Sequence, residues 1–280
     1  MIRATADDVP AIRAFLLDHI ATSMFPLSNL DSYGIAGGHP RAMTFWLGWH
    51  EGQMTDAVGI SDEGFVFPQC PSAPWGDVAV SLSGRLVKAI IGDAAQVTAL
   101  KNALSFESSE GDLDAIDPQY GLDLANLVIP PDDGFRLAPL DAAPRTLLNA
   151  WRTAYLNEVL PPPGEDPVEK GASDIENYLQ ANSHRVLMAG DTPVAMTGFN
   201  ANVGDTVQIG GVYTPPELRG RGYARLAVAL HLAEARATGT KNATLFAASD
   251  QASRVYQSIG FRRSGDFGLL VFETPKVAHV

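Results

Sequence analysis

Val212-Tyr213-Thr214-Pro215-Pro216-Glu217-Leu218-Arg219-Gly220-Arg221-Gly222-Tyr223-Ala224 is the stretch on which the reading of the fold depends. An apolar, β-branched run over 207–213 predicts a strand, and two prolines then halt its ladder. Arg219 to Ala224 opens an apolar helix predicted over 223–237. A helix start of this kind leaves several backbone N–H groups free and carries partial positive charge, while glycines let an anion approach the backbone. Arg219, Arg221 and Arg225 add cationic charge within one turn, so a pyrophosphate would be well received. Three readings compete for the loop alone: a solvent-exposed Gly/Arg turn, a dinucleotide site of the Rossmann type, or a nucleotide P-loop. The dinucleotide motif wants a third glycine where Arg225 stands and an acid ending the next strand, where the sequence has Ala-Ser. A nucleotide P-loop would need Gly-Lys-Ser/Thr, which is missing.

Working outward, the second half reads as strand 135–138, helix 141–157, a Pro-rich loop at Pro161-Pro162-Pro163-Gly164 and a helix around 168–182. Strands 185–189 and 194–200 flank the turn Gly190-Asp191-Thr192-Pro193, and strand 207–213 follows. Helix 223–237, strand 243–248, helix 250–259 and a closing strand near 268–273 complete a mixed α/β layered domain. Ile2-Arg3-Ala4 with Asp7-Asp8 before an apolar-periodic stretch recurs at Phe135-Arg136-Leu137 with Asp141, each reading as a strand and then an Asp-capped helix. Pro130-Pro131-Asp132-Asp133-Gly134 has linker composition and separates the copies. Two domains, 1–130 and 135–280, are therefore expected. In the first, hairpin strands are predicted at 44–49, 55–60 and 63–67. Ile90 to Asp93 is taken as the lead into a helix at 94–104, Glu107 to Asp117 as an exposed acidic loop, and 120–129 as a closing strand.

With the loop and its setting in hand, Val212 to Ala224 resembles the acetyl-coenzyme A signature of the GNAT-type N-acetyltransferase superfamily, Arg/Gln-x-x-Gly-x-Gly/Ala, met by Arg219, Gly222 and Ala224. Ser253-Arg254-Val255-Tyr256-Gln257-Ser258-Ile259-Gly260-Phe261 resembles a second family element at the expected distance. The resemblance covers roughly 135 to 273 and implies tandem GNAT-like domains, each a mostly antiparallel sheet flanked by helices, with a degenerate first copy. It implies an N-acetyltransferase that uses acetyl-coenzyme A, without a metal, on a primary amine of a small molecule. Pyrophosphate is expected on the backbone of Arg219, Gly220, Arg221, Gly222, Tyr223 and Ala224. Pantetheine is expected in a gap between strands 207–213 and 243–248, along Val212, Tyr213 and Thr214, with a bulge at Gly210-Gly211. Tyr256 corresponds to the family tyrosine that protonates the leaving thiolate.

Two departures stand out. Ser249 stands where many members carry a pantetheine-contacting asparagine, and Gln208 where many carry a glutamate base. Glu158, ending the first helix of this half, is an alternative base, although an acid at a helix end is more often solvated surface. His184 and His231 read as surface or packing residues. A non-catalytic acetyl-coenzyme A sensor and a protein-amine acetyltransferase are the alternative functions.

The whole-chain properties agree with an intracellular enzyme of this sort. The 280 residues carry a formal net charge of −12, with 46% hydrophobic and 19% charged residues. This is a folded composition, and its field repels nucleic acid and anionic membranes while favouring cationic amines. The acidic N-terminus lacks a signal-peptide pattern, and no apolar run is long enough to span a bilayer. Cys70 is the only cysteine, which excludes an internal disulfide or a cysteine zinc cluster and suits the cytoplasm.

Overall fold

The computed structural model of the chain describes residues 1–279 apart from 133, 161 and 163. Parts of two expected loops, at Asp133 and at Pro161 and Pro163, lie outside the described residues. In chain order the elements are β1 (Ile2–Arg3), α1 (Val9–Asp18), α2 (Ile20–Tyr33), β2 (Met43–His50), β3 (Gln53–Ser61), β4 (Phe65–Gln69), α3 (Trp75–Ser81), β5 (Leu86–Asp93), α4 (Ala94–Ala103) and β6 (Leu113–Asp123). They continue with β7 (Phe135–Pro139), α5 (Arg145–Val159), α6 (Pro167–Ala181), β8 (His184–Ala189), β9 (Thr192–Val203), β10 (Thr206–Tyr213), α7 (Tyr223–Ala237), β11 (Asn242–Phe246), α8 (Asp250–Gln257) and β12 (Arg262–Val277).

Two compact units result, Met1–Asp117 with Gly265–Val280, and Pro118–Ser264. This partition differs from a cut at 130. Residues 118–123 of β6 run antiparallel beside β11, from Gln119↔Phe246 to Asp123↔Asn242, and so join the second unit. The last part of β12 runs antiparallel beside β5, from Phe267↔Asp93 onward, and joins the first. Backbone hydrogen bonding, which sequence proximity does not dictate, decides both memberships.

The first unit orders its sheet β1-β2-β3-β4-β5-β12 and the second β6-β11-β10-β9-β8-β7, with β4·β5 and β10·β11 as the parallel pairs. Each unit thus repeats strand, two helices, three antiparallel strands, helix, parallel strand and helix. In the first unit Val58, Ile60, Val66, Val78, Ile90, Leu100 and Phe272 form the core. In the second unit successive residues of β8 and β9 point to opposite faces, as a pleated strand requires. Val186, Met188 and Met196 meet α5 and α6, and Leu187 and Ala195 meet α7.

Several local expectations change. Ile90 to Asp93 proves to be the end of a strand, since Leu86–Asp93 pairs with both β4 and β12, and it leads directly into the expected helix, which Asp93 caps by accepting from the Gln96 N–H. The expected acidic loop is shorter, since Leu113 to Asp117 already belong to β6. Asp141 caps nothing in α5, which starts after Pro144; Asp141 lies in a separate 3-10 turn, Leu140–Ala142. At the first copy the cap pairs Thr5 with Asp8, whose carboxylate accepts from both the Thr5 N–H (2.8 Å) and the Thr5 hydroxyl (3.0 Å).

Candidate functional site

In the second unit β10 leaves β11 at one end and bulges against β9 there. Its parallel register with β11 runs only through Thr206↔Asn242, Val207↔Ala243 and Gln208↔Thr244, although β11 continues to Phe246 beside β6. Against β9 the register shifts twice: Asn200 is the extra residue near Gln208 and Ile209, and Gly211-Val212 is the extra stretch between Gly210↔Gly198 and Tyr213↔Met196. Gly211 takes a φ of +62°, which a side chain would strain. Val212 pairs with neither strand, so the sheet opens between β10 and β11 at a bulge, the position expected from Gly210-Gly211.

Beyond the gap the chain turns through Pro216–Leu218 and enters α7. Gly220 and Gly222 hold φ of +77° and +82°. A Cβ on Gly220 would meet nothing within 4 Å, and one on Gly222 only the Arg225 guanidinium at 3.6 Å. The N–H groups of Gly220 to Arg225 donate to no acceptor among the described residues, whereas Leu226 already donates to the Gly222 carbonyl. Arg221 and Arg225 are exposed beside them. These are the features a phosphate group needs: free amides, room at the backbone and nearby positive charge. The residues therefore fit a phosphate-bearing cofactor. The helix behind them is anchored by Leu226, Ala227, Val228, Ala229 and Leu232, all buried.

The side chains of Tyr213, Arg219 and Tyr223 are held by neighbouring protein groups. The Arg219 Nε donates to the Thr214 carbonyl (2.9 Å) and its Nη2 to Glu158 Oε2 (2.6 Å), tying the loop to the end of α5. Both partners of this ion pair are over a third exposed, so it contributes at most about 1 kcal/mol. The hydrogen bond that Arg219 donates to Glu158 comes first among the causes that raise the Arg219 pKa. The Tyr213 hydroxyl also reaches Glu158 (3.4 Å), and burial followed by that carboxylate pushes the phenol up. Glu158 thus has both oxygens committed, which removes the freedom an acceptor base would need. Gln208 is buried, its amide oxygen without a partner among the described residues. Tyr223 packs on Phe135 with ring centroids 5.4 Å apart.

Tyr256 lies on α8, half-buried among Ile259, Phe261 and Leu245, with its ring edge on Phe261 at 5.9 Å. Burial first, and the Tyr155 phenol second, push its pKa up, so the phenol stays protonated at neutral pH. Tyr155 in turn lies under the Arg152 guanidinium, 4.8 Å from its centroid. Arg152 is buried and held by Asp174 at 2.7 Å; Lys170 binds the other carboxylate oxygen. Ser249 serves as the N-cap of α8, its hydroxyl accepting from the Ala252 N–H at 3.2 Å.

Asn200, and two histidines expected as surface or packing residues, complete this region. The Asn200 amide lies over Gly210, where a Cβ would fall 2.0 Å from its nitrogen. His184 and His231 are buried, as packing residues: His184 stacks on Tyr178 (3.5 Å, 11°) and His231 on Phe199 (3.9 Å, 17°). Burial, then His231, Arg152 and Arg185 push the His184 pKa well down; burial and Arg185 push His231 down to about 3. The glycines at 198, 210 and 211 were the available signal, since clustered strand glycines mark places where something lies close against the backbone.

In the first unit the corresponding loop holds a different partner. The Asp56 carboxylate accepts from the Ser72 and Ala73 N–H groups, both at 2.7 Å, and from the Thr55 hydroxyl. The helix that follows, α3, has only 7 residues. Cys70 nearby is buried, its thiol pushed up by burial and by Asp56. Among the described residues no His, Cys, Asp and Glu cluster could hold a metal, and no helix is long and apolar enough to cross a membrane.

Residues 147–261 match the model of the acetyltransferase (GNAT) family. No curated protein matches the chain. A solved Drosophila protein, a structural-genomics target, is similar over 97% of this chain and 98% of its own at 14% identity, with a TM-score of 0.64. A GCN5-related N-acetyltransferase from Sphaerobacter thermophilus aligns over 100% and 95% at 14% identity (TM-score 0.58). A tandem GNAT protein from the clavulanic acid biosynthesis pathway aligns over 96% of each chain at 13% identity (TM-score 0.54). At such identities these likenesses establish the fold, a tandem GNAT arrangement.

Proposed function

From the premise that this chain is a GNAT-type acyltransferase, with its family match in the second unit, we propose that it moves the acetyl group of acetyl-coenzyme A directly to a primary amine of a small molecule. The observation that carries the reading is the opening of β10 from β11 after Gln208, which leads to six free amides at the start of α7. When bound, acetyl-coenzyme A supplies a thioester open to attack by a neutral amine and a thiolate able to leave. The amides of Gly220 to Arg225 hold its pyrophosphate, and Arg221 and Arg225 add charge. The backbone at Val212, which pairs with neither neighbouring strand, and at Thr214 holds pantetheine as an added strand would be held. The Val212 N–H serves as the donor to the acyl oxygen, most useful as charge builds there.

Tyr256 is the donor to the leaving sulfur. Its raised pKa keeps the proton in place but weakens it as an acid, so the phenol acts first as a hydrogen-bond donor, gives its proton to the departing sulfur, and takes back the proton that the acylated amine loses. The acidic chain favours a cationic acceptor, which reacts in its neutral form, and the lone buried thiol suits the cytoplasm. Calorimetry with coenzyme A, followed by thiol release across amines, amino acids, polyamines and aminoglycosides, tests the proposal. Binding with turnover of at least one amine is the expected result. Absence of binding would remove the cofactor assignment, and binding with no thiol release on any amine or protein substrate would leave a sensor instead.

A further inference from the structure

The imidazole of His184 crosses from one strand to a third. His184 on β8 pairs with Gly198 on β9, and Gly198 pairs with Gly210 on β10. The ring lies flat on Gly198: a Cβ there would fall 2.1 Å from both Cδ2 and Nε2. Its far edge reaches the bulge, where a Cβ on Gly211 would fall 2.6 Å from Nε2. Tyr178 of α6 covers the other side of the ring, and Ser183 Oγ lies 2.9 Å from Nδ1. Nε2, aimed at Gly211, has no partner among the described residues. The two glycines thus make room for one ring, and the ring occupies the space into which the bulged segment would otherwise relax.

We infer that His184 is a positioning residue for acyl transfer, a wedge that fixes Gly211 at positive φ and so keeps the Val212 amide turned into the gap between β10 and β11. The role of Val212 in this statement rests on the acetyl-coenzyme A reading above; the wedge itself is a property of the unliganded chain. A neutral ring suits the task. Arg152 of α5, Arg185 beside it on β8 and His231 of α7 all disfavour a charged imidazole here, so the ring packs without bringing a charge into the core.

Three single variants and one double variant test the inference, each read by NMR couplings at Gly211 in the unliganded protein, by coenzyme A affinity and by turnover. His184→Ala should replace the fixed positive φ of Gly211 by averaged values and lower kcat by about 10–100-fold, the scale of a small misplacement of a reacting group. Coenzyme A affinity should fall by at most about tenfold, the scale of one lost pantetheine hydrogen bond at Val212, since the amides of 220–225 are untouched. His184→Phe keeps a ring over Gly198 and should restore both the Gly211 couplings and most of kcat. Gly198→Ala, which expels the ring, should resemble His184→Ala, and the double variant should be no worse than either single one. Wild-type couplings and kcat in His184→Ala would overturn the wedge, and so would a His184→Phe protein as impaired as the alanine variant. If His184→Ala does not fold, the phenylalanine variant decides alone by the same couplings. A wild-type protein that fails to bind coenzyme A would instead defeat the cofactor reading, with the Gly211 couplings still deciding the wedge.

Discussion

Replacing Gly222 by valine should abolish or cripple coenzyme A binding while the protein stays folded. The position has a φ of +82° and open space where a Cβ would project, so the folded state suffers backbone strain without a collision. A left-handed conformation costs a non-glycine residue roughly 1–2 kcal/mol, and a β-branched one somewhat more. Binding loses more, because the new side chain stands where a phosphate would meet the amides. If two charge-assisted hydrogen bonds of about 1.5–3 kcal/mol each are lost, the affinity falls by about 3–6 kcal/mol, or on the order of 10²–10⁴-fold. Gly239, just past the other end of α7, provides the control: its φ is +106° and a Cβ there meets nothing within 4 Å. Gly239→Val should impose similar strain about 22 Å away along the helix and leave binding intact. Isothermal calorimetry with coenzyme A, beside thermal melts of all three proteins, reads both effects. A Gly222→Val protein that binds within about threefold of wild type would refute the assignment of the pyrophosphate to these amides.

Tyr256→Phe should lower kcat by about 10–1,000-fold and leave coenzyme A affinity nearly unchanged, as steady-state kinetics and calorimetry would show; undiminished turnover would make Tyr256 a packing residue. Two buried neutral histidines should make stability fall in mild acid. His184 and His231 hold depressed values in the fold and an ordinary value near 6.5 in the unfolded chain, so their contribution is full above about pH 6.5 and is lost as the pH drops toward their folded values. Between pH 7 and pH 5.5 His231 alone should account for a loss of about 1.3 kcal/mol in denaturant titrations, a part that should vanish in His231→Phe. Titration of the full chain should give one coenzyme A site per chain, and a second site would contradict the reading of the first unit.

How far the sequence carried the fold depended on how local the signal was. Helix α7 is legible to the residue because a glycine start and an unbroken apolar face bound it at both ends. The β8 to β10 meander is marked by Gly190 and Gly204, both at positive φ in its turns. Helix α2 was hidden because Pro26 sits inside an otherwise weakly periodic stretch. The run Leu86 to Ile91 is apolar on both sides, a pattern that a buried strand and a buried helix share. The strand exchange that defines the units could not be read, because it depends on hydrogen bonds between segments far apart in the chain. Within the candidate site the backbone elements were legible as glycines and prolines. His184 and Asn200 were not, since their importance comes from lying across a neighbouring strand's glycine.

The two loops that follow the fourth strand of each repeat show why similar folds need not bind alike. In the second unit, glycines at positive φ leave six N–H groups unpaired in solvent, a state that is cheap while water solvates them and favourable when an anion arrives. In the first unit Pro68, Pro71 and Pro74 take away donors, and the Ser72 and Ala73 amides are already bound by the buried Asp56 carboxylate. A phosphate entering there would have to displace a negative charge fixed by two backbone bonds and would leave that charge in the core without donors, a cost of several kcal/mol. The short α3 offers little dipole in return. Asp56 therefore gives the first loop an anion from within the chain, whereas the corresponding amides of the second are left free.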